Sequence, residues 1–178
     1  MQKDPSPLAE NQKFIHSIAC ARNGVLAASG NIDGVVSLYD ISTKKFLARF
    51  SNHNLAVRAL AFDNSSAALI SAGEDLHIFV SDVESQARLQ TLVGHGEWVT
   101  SISTHPVNRD MFLTSSLDHT VKIWSTQTHK KINEIDLGSP VWGAAYSPSG
   151  DYFAVATENG TISLLNCKQL PTGSSTVI

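Results

Sequence analysis

The sequence predicts an all-β chain built from four repeated, four-stranded antiparallel units. Three observations carry that expectation. Asp33, Asp75, Asp118 and Asn159 stand 42, 43 and 41 residues apart. Around each, the same alternation of apolar and polar residues recurs, as strands with one buried face require. No stretch sustains the helical period of an amphipathic helix.

The elements of each unit follow in order. A first strand begins at Ile15, Val57, Val99 or Val141, with a second apolar residue three places on at Ile18, Leu60, Ile102 or Ala144. Turn residues come next: Arg22-Asn23-Gly24, Asp63 to Ser66, His105 to Asn108, and Ser147 to Gly150. Gly, Asn, Asp and Pro favour such reversals for separate conformational reasons. Past the turn and a second strand comes the repeat-fixed Asp or Asn. A third strand then places Val36, Ile78, Val121 or Ile162, and two residues later Leu38, Val80, Ile123 or Leu164, on one face. In the third unit the four strands are expected at 99–104, 111–115, 120–124 and 131–135.

Composition narrows the function. The net charge of -3 argues against direct nucleic-acid binding by phosphate neutralisation. No apolar run is long enough to span a membrane. Residues 1–12 form a polar, irregular segment with Pro5 and Pro7 and lack the apolar stretch of a secretory signal. Cys20 and Cys167 could bridge, but without an export signal reduced core thiols are the favoured reading. The remaining histidines show no zinc-ligand spacing, no phosphate loop precedes a helix, and neither a metal nor a cofactor is expected.

A four-stranded unit of this size cannot bury both faces alone, so it must stack on its neighbours as propeller blades do. Gly94-His95 opens the third unit, and Trp124 follows six residues after Asp118. The other units keep fragments: Asn52-His53, Tyr39-Asp40, Ser81-Asp82 and Leu165-Asn166. The chain resembles the WD-repeat family, with blades at about 13–50, 51–92, 93–135 and 136–167 and a flexible tail at 168–178. Gly94 to Val99, Ser115 to Asp118, Val121 to Trp124 and Val141-Trp142-Gly143 resemble the subunits shared by the superkiller (Ski) and Paf complexes. Asp75 to His77 and Gln90 to Leu92 extend that likeness.

The resemblance implies a non-enzymatic scaffold for the protein subunits of a Ski-like or Paf-like complex, acting in RNA decay and transcription elongation, in cytoplasm and nucleus. A generic WD-repeat reader of short or modified peptides, histone tails included, is the alternative. Such rings usually have seven blades, so four imply an incomplete ring. A truncated derivative, self-association of two arcs, and completion by another chain all follow as options.

A Ser or Thr, His and Asp set could also suggest a hydrolase triad. Repetition argues otherwise, since a catalytic site is needed once and a blade brace once per blade. The resemblance implies a structural network of His95, Thr114, Asp118 and Trp124, complete only in the third unit. The second keeps His53, Ser71 and Asp75, with Ser81 in place of Trp. The first keeps Ser29 and Asp33, with Tyr39 as a partial substitute, and the fourth has none.

Partner binding is expected on the loops that lead into each blade, which line one rim. Trp98 reads equally as a rim anchor or as packing between blades, and Trp142 rather as packing. Leu55 and Glu97 complete the patch. Phe79 breaks the alternation and either plugs a contact between blades or sits exposed. The chain end Ser175-Thr176-Val177-Ile178 offers a minor alternative, a ligand for a PDZ domain.

Overall fold

The computed structural model describes residues 13–169, so the PDZ motif and the segment 1–12 lie outside the described residues. Fifteen strands run in sequence: β1 (Ile15–Cys20), β2 (Leu26–Asn31), β3 (Val36–Asp40) and β4 (Lys45–Phe50) make the first sheet. The second holds β5 (Val57–Phe62), β6 (Ala68–Gly73), β7 (Ile78–Asp82) and β8 (Arg88–Leu92). The third holds β9 (Val99–Thr104), β10 (Met111–Ser116), β11 (Thr120–Ser125) and β12 (Lys131–Asp136). The fourth holds β13 (Val141–Tyr146), β14 (Tyr152–Thr157) and β15 (Ile162–Asn166).

Each sheet is an antiparallel meander of consecutive strands. The expected fourth strand of the last sheet is absent among the described residues. After β15 the chain turns into a short 3₁₀ segment, Cys167–Gln169. The Asp151 carbonyl accepts from the Cys167 N–H, and the Asp151 carboxylate pairs with Lys168, so the start of the expected tail is anchored.

The sheets stack face to face around their first strands: β1 packs on β5, β5 on β9, and β9 on β13. Among the described residues β13 does not pack back onto β1, so the sheets form an open arc. Three apolar clusters fill the three junctions. Val36, Leu38 and Phe50 meet Val57, Leu60 and Leu69 at the first. Ile70, Ile78 and Val80 meet Val99, Phe112 and Trp124 at the second. Leu113, Val121 and Ile123 meet Val141, Phe153 and Val155 at the third. Burying each such side chain contributes roughly 1.5–3 kcal/mol, so no sheet is expected to hold its shape without a neighbour.

Hydroxyls near the axis join the junctions. Ser17 Oγ donates to the Val57 carbonyl at 2.9 Å, and Thr100 Oγ1 to the Val141 carbonyl at 2.7 Å. The close approach of β6 to the loop entering β5 needs a glycine, since a Cβ on Gly73 would lie 2.0 Å from the Ala56 carbonyl oxygen. The two cysteines are free, yet Cys20 is exposed and Cys167 half-buried. Cys20 is not the core thiol expected, because it sits on the outward face of the first sheet, where no sheet covers it, whereas Cys167 packs against the third apolar cluster.

Candidate functional site

The third sheet builds a continuous polar chain. The loop before β9 brings His95 over the β10–β11 turn, and Asp118 in that turn faces it. His95 Nδ1 lies 2.8 Å from Asp118, and Nε2 lies 2.7 Å from Thr114 Oγ1. The Trp124 indole N–H donates to the same hydroxyl at 2.8 Å. Burial lowers the His95 pKa more than the nearby Asp118 raises it, which keeps the imidazole neutral. The bonds then fix one tautomer: Nδ1–H donates to Asp118, and Nε2 accepts from Thr114. Burial on its own would raise the Asp118 carboxyl. Hydrogen bonds from His95, Thr120 and the Gly96 N–H outweigh it and hold the group well below the usual carboxylate range.

Two members of this network escape sequence reasoning. Thr120 Oγ1 donates to Asp118 at 2.6 Å, and the buried Lys122 ammonium donates to Thr120 at 2.9 Å. Lys122 also reaches Glu134 at 3.2 Å, which offsets the cost of burying its charge. Thr114 is fully buried, so its hydroxyl faces protein on every side and meets no substrate from solvent. The arrangement braces a turn and leaves its hydroxyl nothing to attack.

The second sheet repeats the brace without the indole. His53 lies 2.9 Å from both Asp75 and Ser71. Phe79 is buried and meets the His53 ring edge-on at 4.5 Å, so it fills the space beside the histidine. In the first sheet Ser29 and Asp33 do not come together. Asn31 Oδ1 accepts from the backbone N–H groups of Asp33 and Val35 and shapes that turn itself. The exposed Asp33 carboxylate instead faces Lys13 at 3.4 Å.

A second constellation lies on the rim. In every sheet the first strand carries a β-bulge, with one residue skipped by the pairing: His16, Arg58, Thr100 and Trp142. Bulges re-aim a side chain, and these four line one axial cavity of about 90 Å³. Arg58 donates to Glu74 at 2.8 Å through Nε, and its guanidinium lies over the Trp98 ring, 4.6 Å from the centroid. Trp98 therefore both packs and remains partly open to solvent. Trp142, expected to pack, is about half exposed, because the bulge turns it out of the junction. Leu55 and Glu97 are exposed on the neighbouring loops. His16, Arg58 and Thr100 were missed in the sequence, although the three-residue step from Ile15 to Ile18 and from Val57 to Leu60 encodes the bulge.

Among the described residues no group of His, Cys, Asp and Glu has the arrangement of a metal site, and no helix is long and apolar enough to cross a membrane.

The chain is 30% identical to the U3 small nucleolar RNA-associated protein 15 homolog of Xenopus laevis over 152 residues, covering 84% of this chain and 30% of that protein. The Set1 complex component swd2 of Schizosaccharomyces pombe is 30% identical over 170 residues, 92% of this chain and 47% of its own length. The U3 small nucleolar RNA-associated protein 21 of Saccharomyces cerevisiae is 29% identical, over 84% of this chain and 16% of its own. The chain thus spans about a third of the length of the first relatives it matches. The WD domain, G-beta repeat family matches residues 44–82, 86–125 and 130–166. Each match begins one or two residues before the last strand of one sheet and ends with the third strand of the next, so each repeat ties two sheets together. The chain belongs to the WD domain, G-beta repeat family.

Proposed function

We propose that this protein is a non-enzymatic scaffold that holds protein subunits of a nuclear assembly on its axial rim. The carrying observation is the contrast between its two polar constellations. The His–Asp–hydroxyl brace occupies equivalent positions in two sheets, as a structural device would. The bulged rim residues occupy equivalent positions in all four, yet differ in each: His16, Arg58, Thr100 and Trp142. Fold maintenance asks for the same residue at equivalent sites, whereas recognition asks for different ones. With Trp98, Glu97 and Leu55, the set offers two aromatic anchors and one arginine, the residue types that carry most interface energy.

The relatives' names connect two of them to U3 small nucleolar RNA and one to a Set1 complex, which favours a nuclear complex. A Ski-like or Paf-like assembly is the narrower reading, drawn from the motifs around Gly94 and Ser115. A histone-tail reader is the second reading, favoured by the half-open Trp142 beside Arg58 and Thr100.

Affinity purification at native expression, followed by mass spectrometry, separates these readings. The scaffold account predicts stable co-recovery of several protein subunits, and loss of at least one with Arg58→Ala or Trp142→Ala. Helicase and helical-repeat subunits among them mark the Ski-like reading, and histones alone the reader. Unchanged recovery with both variants removes the rim from the account.

A further inference from the structure

Position for position, the fourth sheet repeats the frame of the His–Asp brace, yet it holds a cavity where the second and third sheets hold an imidazole. The loops entering those two sheets, 51–56 and 93–98, carry His53 and His95 as their third residues. The loop entering the fourth, 136–140, is one residue shorter, and its third residue is Gly138. Asn159 stands where Asp75 and Asp118 stand, Val155 where Ser71 and Thr114 stand, and Ser163 where Phe79 and Lys122 stand. Gly138 holds a φ of +68°, and a Cβ added there would meet nothing within 4 Å. The space that a buried histidine ring fills in two sheets is therefore open in the fourth. It forms a cavity of about 360 Å³ whose lining includes Asp136, Gly138, Thr157, Asn159, Thr161 and Ser163. Sites for small ligands and side chains start at about that size. Its walls are the β12–β13 loop and the β14–β15 turn, which meet at the third junction.

The lining has a definite chemistry. Asn159 Oδ1 accepts from the Thr157 hydroxyl at 2.7 Å and from the Thr161 N–H at 3.0 Å, which fixes the amide. Asp136 Oδ1 accepts from the Gly138 N–H at 2.8 Å, and no cation among the described residues pairs with this carboxylate. The hydroxyls of Thr161 and Ser163 are likewise unpaired among the described residues. One carboxylate and two hydroxyls, with no cation beside them, suit a donor-rich cation. A guanidinium is planar, as an imidazole is, stays charged, and carries five N–H donors. The third sheet already holds a cation on the equivalent frame, since Thr120, at the position of Thr161, accepts from the Lys122 ammonium at 2.9 Å. We propose that this cavity seats an arginine side chain of a partner protein. The partner then supplies from outside the flat, nitrogen-bearing group that His53 and His95 supply from within. The cavity adjoins the loop that leads to Trp142, on the rim assigned to partner binding. The proposal rests on the scaffold reading for the source of the arginine and uses none of that reading's residues.

Titration of the isotope-labelled 178-residue chain with Nα-acetyl-arginine amide, followed by NMR, tests it. The expected result is a saturable shift of the Gly138, Asn159 and Thr161 signals, the Asn159 side-chain NH2 included. The matching lysine and glutamate amides should shift them more weakly. Asp136→Asn keeps the acceptor for Gly138 and removes the charge. It should weaken binding about tenfold, as the loss of a charge-assisted hydrogen bond implies. Gly138→His fills the cavity from within and should abolish the response. The chain already carries His119 and His129 at φ of 73° and 55°, so a histidine suits this backbone. Arg58→Ala, which tests the scaffold reading, should leave the titration unchanged, so the two readings fail separately. No saturable shift at these residues overturns the proposal. So does an equal response to the lysine amide, or binding that Asp136→Asn or Gly138→His leaves unaltered.

Discussion

Replacing Asp118 with Ala should cost far more stability than replacing Asp33 with Ala, although both occupy the same repeat position. The Asp118 carboxylate receives His95 at 2.8 Å, the Gly96 N–H at 2.9 Å, the Thr120 N–H at 3.0 Å and the Thr120 hydroxyl at 2.6 Å. Its side chain is 12% exposed. Removing it strands the Nδ1–H of a buried imidazole and leaves Lys122 with Glu134 as its remaining counter-charge. A hydrogen bond to a charged group contributes about 1.5–3 kcal/mol, and a buried donor left unpaired costs a similar amount. The expected loss is about 3 kcal/mol for Asp118→Ala. Asp33 has a half-exposed carboxylate facing an exposed lysine, and such pairs contribute about 0–1 kcal/mol. Urea unfolding at neutral pH, followed by far-UV circular dichroism, measures both. Equal losses, or a larger loss for Asp33, would refute the claim that the brace in the third sheet is a stability element.

Three further outcomes follow from the same geometry. Trp124→Phe keeps the packing in the second junction but removes the N–H that Thr114 accepts, and urea unfolding should show a loss of about 1 kcal/mol, with Trp124→Leu costing more. Acidification should destabilise the chain in two stages. His95 has its pKa lowered by burial, so its contribution is complete above the ordinary value of 6.5 and is lost as pH falls below it. Asp118, also lowered, contributes above the ordinary value of 3.8 and is lost as pH falls through its folded value. Urea midpoints at pH near 7.5, 5 and 3.5 check this order, and His95→Gln should flatten the first stage. Gly73→Ala forces a methyl group onto the Ala56 carbonyl and should cost about 1–3 kcal/mol in the same assay, with a neutral result contradicting the close approach.

Much of the architecture is legible because strand periodicity is a direct image of burial. In the third unit the observed strands begin at the residues expected, and three of them run at most one residue further. The His95 chain is legible through the family resemblance: a His, a hydroxyl and an Asp recur at fixed spacing in the second and third units, and the WD-repeat pattern joins them to Trp124 in the third. Lys122 is not legible, since a lysine in a strand reads as solvent-facing. Only the convergence of Thr120, Asp118 and Glu134 makes its burial tolerable. The first sheet misleads because Asn31, two residues before Asp33, performs the turn-shaping bond that Asp performs elsewhere. The axial set was available but unread. An apolar step of three within a strand places two residues on one face only when an extra residue is inserted between them. That extra residue is the one turned toward the rim. Trp142 shows the consequence, since strict alternation sends it into the junction and the bulge sends it out.

The most direct test of the scaffold account is site-specific photocrosslinking in cells, with a photoreactive amino acid at Trp142 or at Val107. Trp142 stands on the axial rim, while Val107 is more exposed still but lies in the β9–β10 turn at the opposite rim. The account predicts discrete crosslinks to partner proteins from position 142 and none from position 107. Crosslinks from position 107 with none from position 142 would contradict it.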